Sequence, residues 1–134
     1  MDSLLLPAKT VSLDAFFDFV MRKVEHLELS KEATLDIRLV LEEVVTNIAF
    51  YAYPEGAGNV EVQCWLQDGK KLCIAIIDWG IPFDPLDRPV PDLSVDVSDR
   101  PIGGMGILLV RQLADELRYI REEKTNRLQV CFNL

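Results

Sequence analysis

The sequence contains a single histidine, His26, and only three cysteines among its 134 residues. One histidine excludes a metal site built from several histidines, and a Ser-His-Asp triad would have to use His26. Cys64, Cys73 and Cys131 form no Cys-x-x-Cys pair, and their odd number argues against a disulfide framework. We therefore expect three free cysteines, packed as small hydrophobic side chains in a reducing compartment.

The chain also lacks a long hydrophobic segment and an excess of basic residues. Its longest apolar run, residues 72–77, is far shorter than the ~20 residues that a membrane span needs. The first residues contain no basic segment of the kind that begins a signal peptide. Fourteen Lys and Arg against 22 Asp and Glu give a net charge of −8, which disfavours nucleic-acid backbones and anionic membranes. We expect a cytoplasmic protein that binds neither nucleic acid nor membrane.

The residues that are present are typical of one globular domain spanning 1–134. Hydrophobic residues make up 49% of the chain and charged residues 27%, which is sufficient for a core without disulfides or metals. The hydrophobic pattern predicts helices at 12–26, 31–53 and 107–117, and strands at 4–6, 60–66, 71–78, 119–121 and 128–132. This order predicts an α/β two-layer sandwich, in which helices cover one face of a mainly antiparallel sheet.

Glu43 and Asn47, on the long predicted helix, form the first candidate site. They are four residues apart, so their side chains are neighbours, at the border of an apolar stripe of Val40, Val44 and Ile48. A carboxylate in this position can accept a proton, and an amide oxygen can ligate Mg²⁺. The spacing alone favours the simpler alternative, a solvated Glu beside an Asn near the helix end.

Asp78, at the end of a predicted strand, is the second candidate. The chain turns immediately afterwards at Gly80. A carboxylate at such a strand end can accept a hydrogen bond from an N–H group of a ligand. An Asx turn that only terminates the strand explains the same residues equally well.

The run Gly103-Gly104-Met105-Gly106, directly before the helix predicted from Ile107, is the third candidate. Glycines let a ligand approach the backbone, and a helix N-terminus offers free N–H donors and the positive end of its dipole, which together suit a phosphate. A flexible hinge is the alternative. The run is neither a Walker A loop nor a dinucleotide fingerprint, because no Gly-Lys-Ser/Thr follows it and no βαβ unit surrounds it.

Taken together and in this order, the three motifs resemble the GHKL ATPase superfamily, whose ATP pocket is the Bergerat fold. The chain is most similar to the small anti-sigma-factor serine kinases of bacterial sporulation and stress responses, over essentially its whole length. The most specific segments are 41–47, 78–85 and 104–107. Pro82 replaces the second glycine of the Asp-x-Gly-x-Gly motif, a variant that this small branch shares. Tyr51 stands where many members carry His, which puts any role of that His in doubt.

The resemblance implies a role for each matching residue. Glu43 would be the general base that activates the attacking hydroxyl, and Asn47 would bind the Mg²⁺ that bridges the phosphates. Asp78 would accept a hydrogen bond from the adenine amino group, and Gly80 would let the backbone pass beneath the base. Residues 84–103 would form the ATP lid, from which Arg88 or Arg100 could meet the γ-phosphate. The implied ATP-binding residues are Asn47, Asp78, Gly80, Pro82, Phe83, Gly103, Gly104, Met105, Gly106 and Ile107.

The resemblance implies an ATP-dependent serine/threonine protein kinase that phosphorylates an anti-anti-sigma protein with a STAS domain and sequesters a sigma factor. One alternative is a regulatory module that binds ATP and captures a protein without phosphorylating it, and another is a degenerate domain that binds only proteins. The resemblance also implies a homodimer, which an exposed apolar patch at residues 4–6 and 16–19 would fit. The net charge of −8 favours a sigma-factor surface that is rich in Lys and Arg.

Overall fold

The computed structural model of the chain describes residues 2–82, 84 and 104–134. Within these residues, five strands form one sheet in the order β1-β2-β3-β5-β4, and all neighbouring pairs are antiparallel. The central strand, β3, is buried at every residue but its first. The strands are β1 (Ser3–Pro7), β2 (Asn59–Gln67), β3 (Lys71–Asp78), β4 (Glu116–Glu122) and β5 (Thr125–Asn133).

In the part of the chain that the structure describes, three α-helices cover one face of this sheet, as the sequence predicts. The second has clear local causes at both ends: Ser30 caps its start by accepting a hydrogen bond from the Ala33 N–H at 3.0 Å, and Pro54 disfavours helix at the residue before it. The second helix accordingly ends two residues earlier than the predicted position 53. The helices are α1 (Leu13–Lys23), α2 (Lys31–Tyr51) and α3 (Gly104–Leu113).

The core lies between the helices and the sheet. The predicted stripe of Val40, Val44 and Ile48 is buried there, and so is Phe16 of α1. Much of the apolar surface that would fit a homodimer is therefore buried in the core of the chain itself, although Leu5 of β1 remains 51% exposed. Within the described ranges, no helix is both long and apolar enough to cross a membrane.

The C-terminal part differs from the predicted boundaries. The helix predicted at 107–117 ends at Leu113, because the Asp115 N–H donates to the Cys131 carbonyl at 2.9 Å and draws the chain into the sheet. Leu117, predicted on that helix, belongs to β4. The last hairpin turns at residues 123–124 instead of 124–126, so Asn126 lies within β5, paired with Asp78 of β3.

The prediction of three free cysteines is wrong. Cys73 of β3 and Cys131 of β5 are register partners on adjacent strands, and their sulfur atoms form a disulfide. Only Cys64 is free, and it is buried, as expected. The two bonded cysteines are 58 residues apart in sequence, so their pairing depends on the strand register, which the spacing of cysteines along the chain does not show.

Candidate functional site

Asp78 ends β3 on the face that the helices cover, and it is 5% exposed. Its Oδ1 atom accepts two hydrogen bonds, from the Gly80 N–H at 2.9 Å and from Asn126 Nδ2 at 2.8 Å. The first bond is the Asx turn that was the simpler alternative. Because both donors reach the same oxygen, the turn leaves Oδ2 without a donor among the residues that the structure describes. The same carboxylate can therefore close the Asx turn through Oδ1 and accept a hydrogen bond from a ligand through Oδ2.

Burial raises the pKa of the Asp78 carboxyl above its usual value, and the hydrogen bonds from Asn126 and Gly80 and the charge of Arg121 partly offset this effect. Burial therefore costs the charged form more free energy than these contacts return, and a further donor would stabilise it. A ligand N–H directed at Oδ2 would supply one. The electrostatics therefore favour a ligand that donates a hydrogen bond at this position.

Asn126 organises the polar network around this carboxylate. Its Nδ2 also donates to the Ile81 carbonyl at 2.8 Å, while its Oδ1 accepts from the Tyr119 hydroxyl at 2.5 Å and from Arg121 at 3.2 Å. These partners fix which way the amide points. The hydrophobic pattern does not single out this residue, because the predicted strand begins at 128 and Asn126 falls in the predicted turn. Its pairing with Asp78 appears only in the register.

Glu43 and Asn47 lie at the edge of the buried stripe of α2, as predicted. Asn47 is 5% exposed, beside Val44 at 4%. Burial, followed by the negative charge of Glu42, raises the pKa of the Glu43 carboxyl. A carboxylate with a raised pKa is a stronger proton acceptor, so this shift suits a general base.

From Gly104 onwards, the glycine run lies inside the third helix instead of before it. Gly104, Met105, Gly106 and Ile107 form the first turn of α3, three residues before the predicted start. The first four N–H groups of any α-helix lack a partner within the helix. The N–H groups predicted to lie in a loop therefore belong to the first turn of a helix. The helix packs against α2, which carries Glu43 and Asn47.

Gly80 is required by a close approach of two backbones. A Cβ atom at this position would lie 2.2 Å from the Ala52 carbonyl oxygen, just beyond α2. This contact gives the glycine a role in the fold itself, in addition to the predicted passage beneath a base. Pro82 is exposed. Phe83, Gly103, Arg88, Arg100 and the predicted lid after residue 84 lie outside the described residues.

The sequence matches a known domain family and several curated proteins. The model of the histidine kinase-like ATPase domain family matches residues 6–132. Serine-protein kinase RsbW of Bacillus thuringiensis (strain Al Hakam) is 32% identical over 92 residues, which cover 66% of this chain and 57% of that protein. RsbW of Bacillus anthracis (strain CDC 684) is 30% identical over the same shares. The match therefore spans less than two thirds of the length of these relatives.

Two solved structures share the fold at low sequence identity. The RsbU and RsbW domains of a Mycobacterium tuberculosis protein superpose with a TM-score of 0.61 at 13% identity, over 99% of this chain and 32% of that one. The mycobacterial sensor histidine kinase MprB superposes with a TM-score of 0.58 at 17% identity, over 98% and 97% of the two chains. Both confirm the predicted sandwich of helices on an antiparallel sheet. With the family model matching nearly its full length, the chain belongs to the histidine kinase-like ATPase domain family.

Proposed function

We propose that this protein binds ATP between its helices and the end of β3 and transfers the γ-phosphoryl group to a serine or threonine of a protein partner. One observation carries the nucleotide site: the buried Asp78 carboxylate has Oδ1 held by Asn126 and Gly80, which leaves Oδ2 for the adenine amino group. Relatives named serine-protein kinase support the choice of reaction.

The remaining candidate residues fit the rest of the nucleotide. The free N–H groups of the first turn of α3, from Gly104 to Ile107, suit the phosphates, since a helix N-terminus is a ready anion site. This explains how a chain with a net charge of −8 can bind a polyanion without a basic patch. Gly80 keeps the segment beneath the base close to α2.

A magnesium ion fits this site only together with the nucleotide. The described residues contain no cluster of three or more His, Cys, Asp or Glu side chains that could hold a metal alone. Mg²⁺ in phosphotransferases keeps waters and binds phosphate oxygens with one or two protein ligands, and the amide oxygen of Asn47 suits such a ligand. When bound, the ion would neutralise charge on the phosphates.

Glu43 is the proposed general base. Its carboxylate would take the proton from the attacking hydroxyl as the new oxygen–phosphorus bond forms, and the bond between the β,γ-bridging oxygen and the γ-phosphorus would break to release ADP. Its raised pKa makes it a stronger proton acceptor than an exposed carboxylate. The other residues contribute positioning: the first turn of α3 orients the phosphates and Asp78 orients the base.

The proposed partners are a small anti-anti-sigma protein with a STAS domain as the phosphate acceptor, and a sigma factor as the sequestered protein. The proposal includes a homodimer, a lid at residues 84–103 and a cytoplasmic location, where sigma factors act. An acidic chain suits a basic partner surface, so the capture of a sigma factor should weaken as salt concentration rises.

Two measurements test the proposal. The chain is incubated with Mg²⁺, γ-labelled ATP and a STAS-domain protein, using wild type, Glu43→Gln and the adjacent exposed control Glu42→Gln. We expect phosphoprotein with wild type and Glu42→Gln, and a loss of at least a hundredfold with Glu43→Gln. ADP binding is measured in parallel. ADP binding without any phosphoprotein would instead support a nucleotide-gated binding module, and no ADP binding would refute the nucleotide site.

A further inference from the structure

Tyr53, two residues after the end of α2, holds the segment that follows Asp78. Its hydroxyl donates to the Asn59 carbonyl at 2.6 Å and accepts from the Trp79 N–H at 2.9 Å. Trp79 is the next residue after Asp78. The Tyr53 hydroxyl therefore fixes the backbone directly beyond the carboxylate proposed to recognise the base.

Ala52 makes a second connection at the same place. Its carbonyl oxygen accepts a hydrogen bond from the Ile81 N–H at 2.9 Å, and it is the atom that a Cβ at Gly80 would meet. Ala52 and Tyr53 continue directly from α2, the helix that carries the proposed catalytic base and the proposed magnesium ligand. The end of this helix is thereby joined to the base-recognition segment.

The Tyr53 ring packs closely against Gly58. A Cβ on Gly58 would lie 2.2 Å from its ring atoms, and the Gly58 carbonyl is itself held by the Ala8 N–H at 2.8 Å. Burial raises the pKa of the Tyr53 hydroxyl above its usual value, although its bonds to Trp79 and Asn59 partly offset the rise. The hydroxyl consequently stays protonated at neutral pH and remains a donor.

We propose that Tyr53 is a positioning residue for base recognition, which orients the Asp78 carboxylate by fixing Trp79 and so sets the preference for a purine that carries an amino group. Asn126 holds the carboxylate from the side of β5, and Tyr53 holds its backbone from the side of α2. The inference rests on the proposed nucleotide function. A residue with only a structural role would weaken the binding of all nucleotides alike, whereas a positioning residue changes the discrimination between bases.

The test measures the dissociation constants of ADP and of inosine diphosphate, which lacks the amino group, by calorimetry on the full chain. Wild type should prefer ADP. In Tyr53→Phe the ratio of the two constants should fall about five- to tenfold, the change expected for one or two neutral hydrogen bonds, through weaker ADP binding alone. Gly58→Ala, which displaces the ring, should act in the same direction. Ala57→Ser, an exposed change in the same loop, should leave the ratio unchanged.

The outcomes separate the inference from the function on which it rests. If wild type binds no ADP, both fail. If wild type prefers ADP and Tyr53→Phe keeps the full preference, the nucleotide site stands and the role of Tyr53 is refuted. If Gly58→Ala does not fold, the result for Tyr53→Phe alone decides whether Tyr53 has the proposed role. Hydrogen exchange at the Trp79 amide, faster in Tyr53→Phe than in wild type, would show that the intended bond is lost.

Discussion

Asn126 of β5 donates its amide N–H to Asp78 of β3 at 2.8 Å, directly across the strand pair in which the two residues are register partners. The bond occupies one carboxylate oxygen, Oδ1, and the other has no donor among the residues that the structure describes. Two residues separated by 48 positions in the chain thus form the acceptor that the proposed function needs.

Replacing this amide tests the arrangement. Asn126→Leu removes the donor to Asp78 and the acceptor that the Tyr119 hydroxyl and the Arg121 guanidinium share at Asn126. We expect the free energy of unfolding to fall by about 2–3 kcal/mol and ADP affinity to fall at least tenfold. Asn133→Leu, at the exposed end of the same strand, is the control. Equal ADP affinity in the two variants, measured by calorimetry, would contradict the role of Asn126.

The contact between Gly80 and α2 gives a second prediction. In Gly80→Ala the new Cβ meets the Ala52 carbonyl oxygen, a backbone atom that cannot rotate away. The segment after Asp78 must shift, so we expect a loss of about 1–3 kcal/mol in unfolding free energy together with weaker ADP binding. Chemical denaturation and calorimetry measure the two effects. A variant with the stability and ADP affinity of wild type would show that the close approach is not maintained in solution.

Local signals in the sequence were enough to predict the elements but not the contacts between them. Asp68 and Gly69, between the strands predicted at 60–66 and 71–78, adopt the positive φ angles, 54° and 70°, of a hairpin turn, and Ser30 caps α2 directly before the helix predicted from residue 31. The sequence also identifies Asp78 as a candidate site residue, because a predicted strand ends there. By contrast, the pairings of Asn126 with Asp78 and of Cys131 with Cys73 follow from the register of β5 against β3. This register depends on the assembled sheet.

The start of α3 was missed for a related reason. Glycine has a poor intrinsic helix propensity, so Gly104 and Gly106 predict a loop when they are considered locally. In the structure they form the first turn of a helix that packs against α2, and this tertiary contact outweighs the local preference. The N–H groups of that first turn have no partner within the helix itself.

The buried charge of Asp78 leads to a prediction about stability. Burial raises its pKa in the folded protein above that in the unfolded chain, so the folded state binds more protons between these two values. The free energy of unfolding therefore decreases as pH rises through that window and stays lower above it. Asp78→Asn keeps an acceptor at Oδ1 and removes the charge. We expect a higher Tm than wild type at pH 7, and no ADP binding.

Thermal unfolding of both proteins across the acidic pH range measures this effect. The difference in Tm should be largest at neutral pH and should shrink as pH falls below the pKa of Asp78, because wild type then also carries a neutral side chain. A Tm of Asp78→Asn below that of wild type at pH 7 would mean that the network from Asn126 and Gly80 stabilises the carboxylate more than burial destabilises it.

The final prediction concerns the pH dependence of phosphoryl transfer. Burial and the charge of Glu42 raise the pKa of the Glu43 carboxyl, and only its deprotonated form can accept the proton of the substrate hydroxyl. The kcat should therefore rise with pH through that raised pKa and then level. Glu42→Gln removes the nearby negative charge, so the midpoint of the rise should move to lower pH while the plateau stays similar. Single-turnover kinetics with a saturating STAS-domain partner measure both quantities, and an unchanged midpoint in Glu42→Gln would assign the titration to a group other than Glu43.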